Sequence, residues 1–361
     1  MPSESPLHVL LTSNTAQGMQ ILRKAIDSLH SGDDGLRLQA AYFPFDRPSI
    51  MQTAVKRIKP RVMVLLETEI WPGLLLALKA SGSSIIIING RLTPKSLKRY
   101  RLWPSVWRSL SPHQILATSE ADAGRFRALF GSDGVSTMSN IKFDRVTATA
   151  ITSETSSHQL KHLLPPEAAF IILGSVRRQE EAWIERIVKT VMRLRENTVI
   201  GLFPRHQPRI DHWQHILDRA QLRWVLRSSI HTSVPQGCII LWDTIGELAD
   251  AYRFSTAAFV GGSLAPLGGQ NFLEALVNGV IPVIGPSWYN FAWVGTELPA
   301  SGLLKVAKDW QEVADQIIKD IDDPPSHQNV RQRFEQYLKD RRGGADIACR
   351  HILDLLEETA V

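Results

Sequence analysis

Short apolar runs alternate with amphipathic helical patterns along nearly the whole chain, and this alternation leaves few folds open to it. Leu7–Thr12, Leu38–Phe43, Val62–Leu66 and Ile85–Ile88 read as strands. Helical patterns over Gln17–Leu29 and Pro48–Ile58, and one opened by Pro72, separate them. Shorter strands near Ile115 and Val135 flank a helix over Glu120–Leu129. Strands this continuously apolar predict a parallel sheet covered on both faces. The segment Thr147–Ser157, TATAITSETSS, is small and polar and reads as a linker. Beyond it the alternation restarts at Phe170–Leu173 and runs through Glu180–Leu194, Val199–Phe203, Ile239–Leu241, Ala257–Val260 and Val280–Ile284. After Asp309 the pattern is only helical, closing with Gly343–Glu358. At about 150 residues per domain, 361 residues make two. We expect α/β domains over 1–147 and 148–361, with ligands bound at the carboxyl ends of their strands.

Composition narrows the class further. With 44% hydrophobic and 21% charged residues the chain is neither disordered nor a disulfide scaffold. Its most apolar stretch, Val62–Ala80, is interrupted by Glu67, Glu69 and Pro72, so no membrane span is expected. The N-terminus carries no secretory signal pattern. Cys238 and Cys349 lie in no metal-binding spacing, which suggests a reducing compartment and neither a zinc site nor a disulfide framework. Forty-one Lys and Arg against thirty-six Asp and Glu leave a net +5, suited to an anionic ligand or membrane surface and insufficient to indicate nucleic acid.

The densest motif is FVGGSLAPLGGQNFLEAL, Phe259–Leu276. Two glycine pairs between a strand and a helix expected from about Asn271 would direct free backbone N–H groups at an anion. Within it, Asn271 and Glu274 also fit a capping box, and for Glu274 that reading is even with a ribose contact. In LFPRHQPR, Leu202–Arg209, a strand delivers Arg205 and His206 to a loop. Both suit phosphate or carboxylate, although a solvated basic loop is the simpler reading. Asp243 and Thr244 read first as a helix cap.

In the first half, Glu67 and Glu69 stand at a strand exit ahead of Trp71-Pro72. They fit a general base or hydroxyl binding, and equally charge compensation at the next helix start. The run NGRLTPKSLKRYR, Asn89–Arg101, carries Arg91, Lys95, Lys98, Arg99 and Arg101 with no acid among them. A solvated face is the first reading; with Leu97, Tyr100, Leu102 and Trp103 interleaved, contact with lipid phosphates is the second.

Taken together, the segments ETEIWP (67–72), NGRLTPKSLKRY (89–100), NIKFD (140–144), FPRH (203–206), DTIGEL (243–248), GGSLAPLGGQNFLEAL and IPVIGPSWYNF (281–291) resemble the Kdo transferases. These enzymes add 3-deoxy-D-manno-octulosonic acid from CMP-Kdo to the lipid A precursor. The resemblance implies the GT-B fold, two Rossmann-like domains facing a cleft. It also implies an inverting reaction without metal or cofactor, at the cytoplasmic face of the bacterial inner membrane. Carried over by position, Arg205 and His206 would hold CMP, and Gly246 and Glu247 would border the nucleotide. Gly262, Ser263, Gly269 and Asn271 would face phosphate or the Kdo carboxylate, and Glu274 the ribose. Lys142 would help stabilise the departing phosphate, and Arg91 belongs to the candidate binding set.

Two departures stand out. Where the family pattern has GGHN, this chain has Gly268-Gly269-Gln270-Asn271, so Gln270 keeps a donor but no titratable ring. An STH-G-E-E segment is replaced by Ser175-Val176-Arg177-Arg178-Gln179-Glu180-Glu181. The resemblance also places the catalytic base on a segment like HAVSVGE, after a membrane anchor. This sequence instead starts with the strand and TTxTG-like turn that follow, here Thr12–Gly18. The first domain is accordingly expected to lack its usual first strand and helix. Glu67 and Glu69 become the substitute bases, and the expectation is CMP binding with poor transfer. The competing reading is a CMP-sugar-binding or lipid-A-binding homologue without catalysis.

Overall fold

The computed structural model describes residues 6–29, 35–146 and 160–359. The expected linker, Thr147–Ser157, lies outside them. The chain forms two compact units, 1–138 with 345–361, and 139–344. Against the boundary read from composition at 147/148, the division falls at Met138/Ser139. The last helix, α14 (Gly344–Glu358), returns almost entirely to the first unit. Gln114 shows why: its side chain bonds His351 Nδ1 at 2.9 Å, a contact no local pattern reveals.

In the first unit, β1 (Leu7–Ser13) and β2 (Leu36–Tyr42) form a parallel pair. Separately, β3 (Val62–Leu66), β4 (Ser84–Gly90), β5 (Gln114–Ala117) and β6 (Val135–Thr137) form a parallel sheet in sequence order. Helix α3 (Pro72–Ser81) buries Leu74, Leu75 and Leu78 against Ile85 and Ile87 of β4. The cover expected on both faces holds for β4 and β5 but not for the earlier strands, where Leu7, Leu10, Val64 and Leu66 are exposed.

The second unit carries a seven-stranded parallel sheet in the order β13-β12-β11-β7-β8-β10-β9. Its strands are β7 (Phe170–Val176), β8 (Val199–Pro204), β9 (Trp224–Leu226), β10 (Ile239–Leu241), β11 (Ala257–Val260), β12 (Pro282–Ile284) and β13 (Lys305–Val306). The alternation anticipated all but the short edge strands β9 and β13. Helix α7 (Glu181–Leu194) shows why the sequence folds this way. Ile184, Ile187, Val188 and Val191 recur at helical spacing and form one buried stripe on the sheet. The opposite face is covered by a second cluster that includes Phe170, Tyr252, Phe272 and Phe334.

Candidate functional site

Strand order locates the second unit's ligand crevice. The sheet grows from β7 through β8 in one direction and through β11 in the other, so the crossovers reverse at β7. Open α/β sheets bind ligands outside the carboxyl ends of the strands at such a point. The exit of β7 is irregular: its register with β8 shifts between Leu173 and Val176, and Ser175 adopts φ +53. Non-glycine residues in that region concentrate at functional sites. A cavity of about 190 Å³ opens here, lined by Ser175, Pro204, Arg205, Gln207, Thr244 and Gly246 among others. Its size suits one part of a ligand. Arg205 is exposed on its wall, and its backbone N–H donates to Val176 O at 2.8 Å. His206, also exposed, is not among the lining residues; Gln207 is, with no sequence signal to mark it.

Gly246 lines the cavity, whereas Glu247 is used internally. One Glu247 carboxylate oxygen accepts from Arg227 at 2.7 Å. The other accepts from Trp242 Nε1 at 2.7 Å and Thr244 Oγ1 at 2.6 Å. Trp242 in turn stacks on Phe203 with ring centroids 4.2 Å apart. Glu247 therefore suspends the cavity's 244–246 wall from the core, with Ile245 at the rim 85% exposed.

The glycine loop is organised differently from the sequence expectation. Its helix, α10 (Leu273–Val277), spans five residues, too short to present much of a dipole at Asn271. The N–H groups of Gly262, Ser263 and Leu264 donate to the Glu180 carboxylate at 2.5, 2.9 and 2.8 Å. Gly268 N donates to Ser287 Oγ, Gly269 N to Gly262 O and Gln270 N to Gly261 O. Ser263 Oγ, buried, donates to Val260 O and accepts from Gly285 N. The amides expected to face an anion are thus occupied by the protein itself. A Cβ at Gly268 would lie 2.4 Å from Asn290 Nδ2 at φ +86, so only glycine fits the approach of the 287–290 segment. Gln270 turns its Nε2 to Gly269 O at 3.3 Å.

Beside this loop Asn271 Nδ2 donates to Glu274 at 2.8 Å and Asn271 Oδ1 accepts from Leu273 N at 3.2 Å; the helix is capped at Phe272 without a side-chain bond, so the capping box expected of Asn271 and Glu274 does not form. Burial pushes the Glu274 carboxyl above its ordinary range, opposed by the Asn271 bond and by the Arg205 charge. Arg205 and Glu274 are thereby electrostatically linked. Lys142, exposed, lies in the same unit on the 3-10 turn Ile141–Arg145, whose first N–H groups Asn140 caps.

In the first unit Glu67, Glu69 and Arg91 come together at adjacent strand exits, with Thr68 Oγ1 donating to Arg91 O. The hydrogen bonds to the following helix start are not made by the glutamates. Asp46 supplies them, accepting from Gly73 N at 3.0 Å and Leu74 N at 2.8 Å. Glu69 accepts from Trp71 Nε1 at 2.7 Å. Half-buried Glu67 sits at φ +62. In the basic run, Leu97 and Tyr100 pack on the core, while Leu102 and Trp103 are 75% and 72% exposed. Among the described residues no helix is long and apolar enough to cross a membrane.

Residues 2–145 match the family model described as 3-deoxy-D-manno-octulosonic-acid transferase (kdotransferase). The 3-deoxy-D-manno-octulosonic acid transferase of Bordetella pertussis is 29% identical over 364 residues, covering 98% of this chain and 82% of that protein. Among solved structures, the C-terminal CMP-Kdo binding domain of WaaA from Acinetobacter baumannii is 26% identical, covering 55% of this chain and 98% of that one at a TM-score of 0.45. The alpha,alpha-trehalose 6-phosphate synthase of Burkholderia multivorans covers 99% of both chains at 12% identity and a TM-score of 0.56. That last likeness is one of fold, the GT-B class.

Proposed function

We propose, from the premise that the chain belongs to the 3-deoxy-D-manno-octulosonic acid transferase family, that it moves Kdo from CMP-Kdo to a hydroxyl of the lipid A precursor. The observation that carries the donor assignment is the cavity at the β7 switch point with Arg205 on its wall. In this reading the cavity takes the nucleotide, Arg205 and His206 meet its phosphate, and Glu274 with Asn271 meets the ribose. The glycine loop supports these groups through Gly262, Ser263, Gly269 and Gln270, and Lys142 adds charge against the departing CMP. The acceptor hydroxyl attacks the anomeric carbon as the bond to the CMP phosphate breaks, inverting that centre without a metal or cofactor. We assign its proton to Glu67, with Glu69 and Arg91 binding acceptor. Glu67 is preferred because it stands in a strained backbone conformation and Asp46 already serves the adjacent helix.

The acceptor is a lipid, and the exposed pair Leu102 and Trp103 among Lys98, Arg99 and Arg101 is suited to the anionic cytoplasmic leaflet of the inner membrane. Calorimetry with CMP, and transfer from CMP-Kdo to lipid A precursor, test the proposal. Arg205→Ala should weaken CMP by roughly 1–3 kcal/mol, the loss of a charge-assisted bond. Glu67→Gln should lower turnover by about 10²-fold or more while leaving CMP affinity unchanged. CMP binding without any transfer would favour the donor-binding homologue, and equal CMP affinity in Arg205→Ala would remove Arg205 from the site.

A further inference from the structure

We propose that Glu180 and Glu181, at the start of α7, act together as a positioning device that fixes both donor loops before the nucleotide arrives. This inference rests on the donor reading above. Glu180 is completely buried. Locally it accepts from Arg177 N at 3.3 Å, the ordinary reciprocal bond of a helix start. Its other partners are the N–H groups of Gly262, Ser263 and Leu264, on the loop that leaves β11. Successive N–H groups at a turn normally make a nest for a ligand anion. Here the anion is part of the protein.

Glu181 does the same for the neighbouring loop. Its carboxylate accepts both Nε and Nη2 of Arg209, at 2.8 and 2.5 Å, and approaches His212 at 3.3 Å. Arg209 closes the turn that carries Arg205 and Gln207 to the cavity. Two consecutive carboxylates on one helix, anchored by its buried stripe, thus hold the loops following β8 and β11. Two consequences follow physically. The ordering cost of these loops is met on folding and not on donor binding, which favours affinity. The nest at Gly262–Leu264 is also closed to the donor's phosphate, since a second anion there would meet the Glu180 charge. The phosphate must then be read by side chains, Arg205 foremost.

The test combines amide hydrogen exchange with kinetics on the full chain, performed well below each variant's melting temperature. In the wild type the amides of Gly262, Ser263 and Leu264 should exchange slowly without CMP, and Glu180→Gln should expose them. With CMP as probe, Glu180→Gln should raise Kd, and with CMP-Kdo the donor KM, by about tenfold through the lost charge-assisted bonds. The acceptor KM should stay the same, and Glu180→Asp, one methylene short, should not rescue. Should Glu180→Gln fail to fold, Arg209→Lys carries the test, with an expected rise in donor KM alone. Fast exchange in the wild type overturns the proposal, as does an unchanged donor KM in the folded variant. A wild type that binds no CMP instead refutes the donor reading, while exchange still reports on the carboxylate pair.

Discussion

Replacing Glu247 by Gln separates a residue that holds the nucleotide wall from one that touches the nucleotide. The carboxylate accepts three side-chain donors: Arg227, Trp242 Nε1 and Thr244 Oγ1. A Gln side chain keeps one accepting oxygen and turns an amide donor toward the rest, so either the Arg227 bond or the Trp242 and Thr244 pair is lost. Trp242 is only 3% exposed, so its N–H cannot recover a bond from water. The cost of leaving that group unpaired is about 1–3 kcal/mol. The Arg227 pair adds to this cost, because with only 14% and 26% of its side chains exposed it is screened only in part. We expect about 2 kcal/mol in all, a fall in melting temperature of roughly 4–8 °C for a unit of this size. Urea unfolding followed by tryptophan fluorescence measures the first quantity, and calorimetry with CMP reports the wall. Arg227→Met, a residue outside the cavity lining, should weaken CMP in the same direction. A destabilisation below about 0.5 kcal/mol in Glu247→Gln would refute the reasoning. So would loss of CMP binding in Glu247→Gln alongside full stability and binding in Arg227→Met.

Three further outcomes are expected. The Tyr252 hydroxyl is wholly buried with no hydrogen-bond partner among the described residues, and burial drives its pKa far up; Tyr252→Phe should therefore hold or raise stability, by up to about 1 kcal/mol, and a comparable loss in thermal melts would show that the hydroxyl is satisfied. Burial pushes the Asp122 carboxyl up, but bonds from Ser119, Arg125 and the Leu92 N–H outweigh it and the net pKa is lowered. Its folded pKa thus lies below the unfolded one, so the stabilisation is complete above about pH 4 and fades as pH falls through the folded value. The advantage of wild type over Asp122→Asn in urea should shrink along that acid limb, and an advantage that grew with acid would contradict the sign. Finally, Trp103→Glu should reduce binding to vesicles of anionic phospholipid, and added salt should weaken the wild type steeply. Binding indifferent to both would exclude this surface as the membrane contact.

Apolar runs and helical stripes marked every strand but β9 and β13 and most of the helices, because such patterns are written locally. Arg205 stood visibly at a strand exit, though a solvated loop was its simpler local reading; the family resemblance named it and Gly246 as nucleotide contacts, and both line the cavity. The use made of the other residues was not legible. The glycine loop looked like a ring of free amides because its occupant, Glu180, comes from another strand's exit and reaches it only through the sheet. Glu67 and Glu69 read equally as helix compensators or as a base because Asp46, which bonds the helix start, lies 28 residues before Leu74 in sequence. The return of α14 to the first unit was likewise invisible, its pairing of His351 with Gln114 depending on residues far apart in sequence. Short-range patterns determine which segments become strands and helices, since backbone propensity and burial act over a few residues. Which polar group satisfies which is decided by desolvation in the folded interior, where a donor takes whatever acceptor the tertiary structure brings within about 3 Å.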